Sequence, residues 1–299
     1  MSSVTSSAPN ESRSAGAARS PLRAPLVSRT GVFVVMALFA IYTLVPVWWL
    51  LVSATKSEGN LFTTSSLWFS HVDVWANIRE VFNEQNGIFA HWIVNSVIYS
   101  AVGAALSTVL SAMAGYALAK YSFRGRDLAF NIILGAVLIP ATMYALPLYL
   151  LFSEVHLVNT YWSVLLPSVV SPFGVYLSRI YAAASIPGDV IQAGRVDGAS
   201  EARIFWRIAV PIMSPALVTV FLFQFVTIWN NYLLPLLMLN NDKLQPVTVG
   251  LASWREEFNQ GIPYNLTITG AFLSVVPLII AFLVLQRFWR AGLAAGSVK

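Results

Sequence analysis

The chain has 299 residues, of which 57% are hydrophobic and only 10% charged, and its mean hydropathy is +0.68. A soluble globular domain carries about a quarter charged residues, so these values exclude that class and point to a polytopic membrane protein. The absence of cysteine excludes a disulfide framework and thiolate metal sites. The net charge of +5 does not mark a nucleic-acid binder, because the basic residues stand at the ends of apolar runs, where membrane topology places them.

Residues 1–30 are rich in Ser, Ala, Pro and Arg (Arg13, Arg19, Arg23, Arg29) without apolar periodicity, which predicts a disordered tail. Gly31–Ser53 then runs without a charge. Val52-Ser53-Ala54 has the small residues of a signal-cleavage site, but a signal h-region takes about 7–15 residues and a span about 20. The length predicts a retained transmembrane helix. By the same test further spans fall at 92–118, 128–152, 161–178, 217–239 and 267–286, and none of the six contains Asp, Glu, Lys or Arg. The predicted fold is therefore an all-α polytopic membrane protein of six transmembrane helices, one domain over 31–299.

Loop charge sets the orientation. The tail holds four Lys or Arg, the 119–127 loop three (Lys120, Arg124, Arg126), the 179–216 loop four and the C-terminal end three, against four on the other side (Lys56, Arg79, Lys243, Arg255). Positive loops stay in the cytoplasm, so both termini lie inside. Outside, Val74, Ile78, Val81 and Phe82 follow a helical spacing behind Asp73, a candidate N-cap. They predict a short amphipathic helix, either packed over its own spans or offered to an extracytoplasmic protein. Trp254–Phe258 is open to the same surface role. The Asn265-Leu266-Thr267 sequon is a three-residue pattern of high false-positive rate.

The charged interruption at 185–215 carries Asp189, Arg195, Asp197, Glu201, Arg203 and Arg207. Each would cost about 2.5–3.5 kcal/mol at the centre of a membrane helix, so the stretch is a cytoplasmic loop. Pro187 suits a first helical turn, Val190, Ala193 and Gly194 form an apolar face, and Asp197-Gly198 stops the helix through a left-handed glycine. A second helix from about Ala199 places Phe205, Ile208 and Ala209 together ahead of Pro211 and Pro215. Without a basic recognition face this pair does not suit DNA. It suits docking into a groove of another protein.

For a path through the membrane, the polar residues of the fifth span stand out. Gln224, Thr227 and Asn231 share one helix face, with Asn230 beside them and Trp229 and Tyr232 as nearby aromatics. With the span centred near 228, the asparagines fall at mid-bilayer. These groups suit a sugar's hydroxyls and ring faces, or they link helices to each other. Asn95, Ser96 and Tyr99 read as helix-linking groups. Pro46, Pro140, Pro147, Pro167, Pro172, Pro235 and Pro277 are kink sites.

Gln192-Ala193-Gly194-Arg195-Val196-Asp197-Gly198-Ala199, followed by Phe205, Ile208 and Pro211, resembles the EAA loop of ABC-importer permease subunits. Gln192 stands where Glu is typical and Gly194 where Ala is typical. Trp229-Asn230-Asn231-Tyr232-Leu233-Leu234-Pro235 resembles the family's W-N-x-F-L-x-P run. Gln286-Arg287-Phe288 through Gly292–Lys299 resembles the tail of its carbohydrate-type, maltose-permease-like branch.

The resemblance implies a sugar importer in the bacterial cytoplasmic membrane, working by alternating access. It implies that Gln192, Ala193, Gly194, Asp197, Gly198 and Ala199 dock on an ATPase. Its implied partners are a second permease subunit, two ATPase subunits using ATP and Mg, and an extracytoplasmic solute-binding protein; this chain itself would bind no cofactor. Neutral Gln192 would replace a charge-assisted hydrogen bond by a weaker one.

No G-x-x-x-x-G-K-[ST] loop occurs, so the chain is not expected to hydrolyse ATP. His71, His91 and His156 lack catalytic spacing, which weighs against a membrane enzyme. An ion-coupled carrier usually places ionisable groups inside its spans, and none is found here; an importer of a non-sugar solute also stays open.

Overall fold

The computed structural model describes residues 26–257 and 262–296. Its helices are α1 (Leu26–Ala54), α2 (Glu58–Leu61), α3 (Val74–Asn83), α4 (Ile88–Lys120), α5 (Arg126–Ala136), α6 (Ala141–Glu154), α7 (Tyr161–Ser168), α8 (Pro172–Ser185), α9 (Gly188–Val196), α10 (Glu201–Ile204), α11 (Val210–Trp229), α12 (Leu233–Met238), α13 (Val247–Glu256) and α14 (Tyr264–Gly296). The chain divides into two compact units, residues 1–48 and 49–299. The described part of the first is the apolar body of α1, which begins at Leu26, inside the segment expected to be tail; residues 1–25 lie outside the described residues. The remaining helices belong to the second unit.

The all-α polytopic class is as expected. Thr30–Ala54, Ile88–Lys120, Tyr161–Ser185, Glu201–Trp229 and Tyr264–Gln286 are each long and apolar enough to cross a membrane, and α5 with α6 makes a sixth crossing when the bent pair is taken as one span.

Three predicted spans are redrawn, each at a proline. The 128–152 span bends by 100° between α5 and α6. Pro140 has no N–H to continue the ladder and keeps Ile139 out of the helical region. The end of α5 accordingly tightens into three-residue turns, with Val137 N–H on Leu134 O (3.2 Å) and Ile139 N–H on Ala136 O (3.3 Å). The 161–178 span breaks ahead of Pro172 and then runs on to Ser185. The 217–239 span starts earlier, at Glu201, and ends at Trp229, so Asn230 and Asn231 stand at its outer end and not at its centre.

At two of these breaks a side chain replaces the missing proline N–H. The carbonyl of Ser168, which Pro172 cannot serve, accepts from Gln224 Nε2 at 2.9 Å. The carbonyl of Asn231, which Pro235 cannot serve, accepts from Thr248 Oγ1 at 2.9 Å. Pro211 has a related effect: Phe205–Ala209 widen into a π-helical turn, with Val210 N–H on Phe205 O.

The second unit is assembled around α4. Its face of small residues (Gly103, Ala104, Ser107, Ser111, Ala112, Gly115) is buried. A Cβ on Gly115 would lie 2.5 Å from Ser178 Cβ and 2.6 Å from the backbone N of Arg179 in α8. A Cβ on Gly174 of α8 would lie 2.5 Å from Ser111 Oγ. Lipid offers apolar side chains nothing worse than protein does, so helices gain most where small residues let backbones approach. Lys120, at the end of α4, donates to Ile186 O at 2.6 Å and Ala183 O at 3.5 Å, satisfying carbonyls at the end of α8.

The outer end of α4 is polar and holds a loop. Trp92 Nε1 donates to Asp242 O (2.9 Å), Asn95 Nδ2 to Lys243 O (2.8 Å) and Gln245 O (3.1 Å), and Tyr99 OH to Leu244 O (2.9 Å). Ser96 Oγ accepts from Val247 N–H at 2.8 Å, and Asn95 Oδ1 accepts from Tyr161 OH at 2.8 Å. Asn95, Ser96 and Tyr99 are thus linking groups, as read from the sequence, although what they link is a loop to a helix. Asn95→Leu strands two loop carbonyls at about 1–3 kcal/mol each. Residues 242–247 are expected to become protease-sensitive in that variant while the helices stay intact, as limited proteolysis of the reconstituted protein will show.

The amphipathic helix α3 forms where expected, with Val81 and Asn77 buried and Ile78 half-buried. Asn77 donates to the carbonyls of Ala54 and Lys56 at 3.0 and 2.9 Å, so this face packs on the chain's own helices. Asp73 caps nothing with its side chain; its carboxylate pairs with His71 at 2.8 Å. Trp254 is fully buried and stacks on Phe89, so it offers no surface; Phe258 lies outside the described residues. Asn265 of the sequon is buried and donates to Asn77 Oδ1 at 3.3 Å.

Candidate functional site

The predicted residues gather in two places. At the cytoplasmic end, Pro187 stands just ahead of α9 as its cap, not inside the first turn. Asp189 in the first turn and Arg195 in the last complement the helix dipole. The helix ends in a Schellman motif. Gly198 takes φ +73°, its N–H reaches Arg195 O at 3.0 Å, and the Ala199 N–H reaches Gly194 O at 3.0 Å. This is the left-handed stop expected from Asp197-Gly198.

The buried face of α9 differs from the one predicted. Ile191 and Gly194 point inward, whereas Val190 and Ala193 are exposed. The reason is the close approach of α9 to the following helix: a Cβ on Gly194 would sit 3.3 Å from Ile204 Cγ1 and 3.4 Å from Ile208 Cδ1. Asp189, Gln192, Ala193 and Val196 therefore share the outward face, and Val196 is 87% exposed. Asp197 and Gly198 are exposed beside them and Ala199 is half-buried.

A clamp holds this loop to α4. Glu201 accepts from Arg195 Nε at 2.7 Å and from Tyr121 OH at 2.6 Å. Tyr121, the residue after α4, stacks edge-on against Tyr116, which in turn packs on Phe205. Burial, and then the neighbouring Glu201 carboxylate, raise the Tyr121 phenol above its ordinary range, so it keeps its proton and donates. Ser200 Oγ caps the next helix by accepting from Arg203 N–H at 3.4 Å. The Arg195–Glu201 pair is partly exposed, so it orients the loop more than it stabilises the fold. Arg195 and Glu201 were visible as charges. Their convergence with Tyr121 was not, because it needs contacts across 80 residues of sequence.

The second place is a cavity of about 680 Å³ where the three broken helices meet. Its lining includes Thr142, Tyr144, Ser168, Ser171, Pro172, Gln224, Thr227 and Asn231. Three of the five predicted path residues thus converge here. Trp229 is instead buried in the core, stacked on Phe225 at 5.9 Å. Asn230 is exposed and turns back to donate to Val226 O at 2.8 Å. Neither lines the cavity: the Trp229 ring turns toward Phe225 and the core, and Asn230, the cap after α11, folds its amide back onto the helix. The aromatic groups present are Tyr144 and Phe173. Gln224 lines the cavity and also serves the Ser168 carbonyl, so its helix-linking hydrogen bond does not take it out of the lining. Pro140, Pro167 and Pro172 were the sequence signal for this space, and Tyr144 had none.

The model of a family described as binding-protein-dependent transport system inner membrane component matches residues 107–292, from mid-α4 into α14. The chain belongs to this family. The permease is 38% identical over 223 residues to the arabinooligosaccharides transport system permease protein AraQ of Halalkalibacterium halodurans, covering 75% of this chain and 78% of that one. It is 35% identical over 212 residues to AraQ of Bacillus subtilis, covering 71% and 74%. The crystal structure of a bacterial ABC transporter involved in the import of the acidic polysaccharide alginate superposes with a TM-score of 0.77 at 24% identity, over 90% of this chain and 100% of that one. That likeness establishes the fold. The permease is a multi-pass component of the inner membrane and a transport subunit, not an enzyme. Membership also weighs against the ion-coupled carrier that the sequence alone left open.

Proposed function

We propose that the permease moves an uncharged sugar, a di- or oligosaccharide or a related polyol, through the cavity bounded by α5–α6, α7–α8 and α11. The observation that carries this reading is the lining: a largely apolar wall that carries hydroxyl and amide groups (Thr142, Ser168, Ser171, Gln224, Thr227, Asn231) beside Tyr144, with no Asp, Glu, Lys, Arg or His among the lining residues. Hydroxyls and amides exchange hydrogen bonds with a polyol, and an aromatic face covers a sugar ring. An acidic polysaccharide such as alginate, which the structural relative helps to import, would find no cation here. The names of both AraQ relatives, which specify arabinooligosaccharides, support a neutral oligosaccharide.

The exposed face of α9 and the turn after it dock in a groove of a separate cytoplasmic ATPase through Gln192, Ala193, Asp197, Gly198 and Ala199, whereas Gly194, also part of the family pattern, is buried behind that face against Ile204 and Ile208. The ATPase hydrolyses ATP with Mg as two copies beneath this chain and a second permease subunit, and a solute-binding protein delivers the sugar outside. Closure of the ATPases then swings the helices as a rigid body. Gln192 makes a neutral hydrogen bond where the family pattern has a carboxylate, so docking here depends less on salt.

The cavity reading is tested by uptake into proteoliposomes. Asn231→Ala is expected to raise the concentration for half-maximal uptake while leaving the maximal rate near wild type. An unchanged half-saturation, or stimulation of ATP hydrolysis only by charged solutes in a panel, would remove the sugar assignment. The clamp gives a separate expectation. Glu201→Ala should lower solute-stimulated ATP hydrolysis more than Glu201→Gln, which keeps an acceptor for Tyr121. Equal activity of the two variants would show that the clamp plays no part in coupling.

A further inference from the structure

Residues 56–72 form a loop closed at its base, where Asp73 N–H donates to Thr55 O at 2.7 Å. Lys56 is fully buried beneath it and donates from Nζ to Ser65 O at 2.6 Å. Thr63 and Thr64 turn their hydroxyls onto the carbonyls of Gly59 and Asn60, at 2.7 and 2.6 Å. Leu61 is buried with Ala54 and Ile268. The loop is thus fixed from within by its own polar groups. It nevertheless displays Phe62 (71% exposed), Trp68 (68%) and Val72 (56%), with Trp75 (79%) on the first turn of α3 beyond it.

From this we infer that residues 62–75 are an anchor seated in the outer membrane–water interface, with lipid as the partner. Three observations select lipid. The loop leaves the outer end of α1, and Phe62 packs on Tyr264, the first residue of α14, at 5.9 Å, so it lies level with the ends of two spans. The apolar window of α14 is sparsely covered: 17% of it is buried, against 39% in the spans at 88–120, 161–185 and 201–229. The lipid-facing surface therefore continues into the loop. Finally, residues 59–70 hold no Asp, Glu, Lys or Arg and combine Trp and Phe with Ser and Thr. Amphipathic aromatic rings among hydroxyls match the headgroup level of a bilayer, whereas a protein partner is met by an apolar centre within a polar, hydrogen-bonding rim. The buried Lys56 has a clear role in this arrangement: it holds the loop in the one shape that presents these rings to lipid. The inference rests on the topology alone and is independent of the sugar reading.

The absence of cysteine makes the test direct. Single Phe62→Cys, Trp68→Cys and Trp75→Cys variants are spin-labelled in the assembled transporter, built with cysteine-free partners, in phosphatidylethanolamine–phosphatidylglycerol bilayers. Glu80→Cys, on the exposed side of α3, serves as the aqueous reference. The ratio of oxygen to nickel-chelate accessibility is expected to be several-fold higher at 62, 68 and 75 than at 80. A ratio equal to that at 80 would mean a water-exposed loop. Immobile labels shielded from both reagents would mean that a protein, either the second permease or the binding protein, covers the patch. Either result overturns the inference.

Discussion

Gly115→Val is expected to remove most of the folded permease from the membrane. The first atom of any side chain at this position would lie 2.5 Å from Ser178 Cβ and 2.6 Å from the Arg179 backbone nitrogen, and backbone cannot swing aside as a side-chain tip can. The helices α4 and α8 would have to separate along their length. That would also disturb the Ser111–Gly174 approach and the Lys120 cap on Ile186. Overpacking of a well-filled interface costs ~3 kcal/mol at the upper end of its usual range, about a hundredfold in the folded population. Gly135→Ala is the matched control: Gly135 is helical with open space where its Cβ would go, so the change is neutral or stabilising by about 0.5–1 kcal/mol. Membrane abundance and the midpoint of thermal aggregation in detergent measure both. Wild-type values for Gly115→Val would show that α4 and α8 do not cross this closely.

Gly198→Val is expected to abolish coupled transport while leaving the protein in the membrane. A Cβ at Gly198 meets nothing within 4 Å, so the effect cannot come from crowding. It comes from φ +73°, a region that costs an L-residue about 1–2 kcal/mol and is an outlier for a β-branched one. The chain will escape this by opening the Schellman turn, releasing Gly194 O and Arg195 O and re-aiming Asp197 and Ala199 beside the exposed face of α9. Gly198→Asn should restore function, since Asn tolerates the left-handed conformation. ATP hydrolysis that persists without uptake in the Val variant, with recovery in Asn, is the expected pattern. Normal uptake by Gly198→Val would end the docking-turn account, and failure of both variants would point to a requirement for glycine beyond its backbone freedom.

These two glycines mark the boundary of what was legible beforehand. Gly198 could be read from the chain, because a helix stop is local: Asp197-Gly198 after an amphipathic turn specifies its own hydrogen bonds. Gly115 could not, because its constraint is the backbone of a helix some 60 positions further along, and glycine in an apolar run carries no sign of what approaches it. The same division holds at the cavity. Gln224, Thr227 and Asn231 share a face by helical periodicity alone and do converge. Asn230 was misplaced because the helix ends at Trp229, with Pro235 unable to serve the Asn231 carbonyl, a break that hydropathy averages away; Trp229 was misplaced because its ring packs on Phe225 in the core, a contact that only the fold supplies.

By itself, then, the amino-acid sequence determined the class, the orientation and the position of the cytoplasmic loop. All three follow from the cost of charge and of unpaired backbone in lipid, which acts residue by residue and leaves its mark along the chain. The tertiary structure alone decided how the proline breaks are used. Freed carbonyls at Ser168 and Asn231 must find donors, and only packing brings Gln224 and Thr248 to them. It likewise decided that Glu201 joins Tyr121 to Arg195, and that α9 buries Ile191 and Gly194 instead of Val190 and Ala193. A short helix with apolar residues on several sides has no preferred face until a neighbour as close as Ile204 selects one.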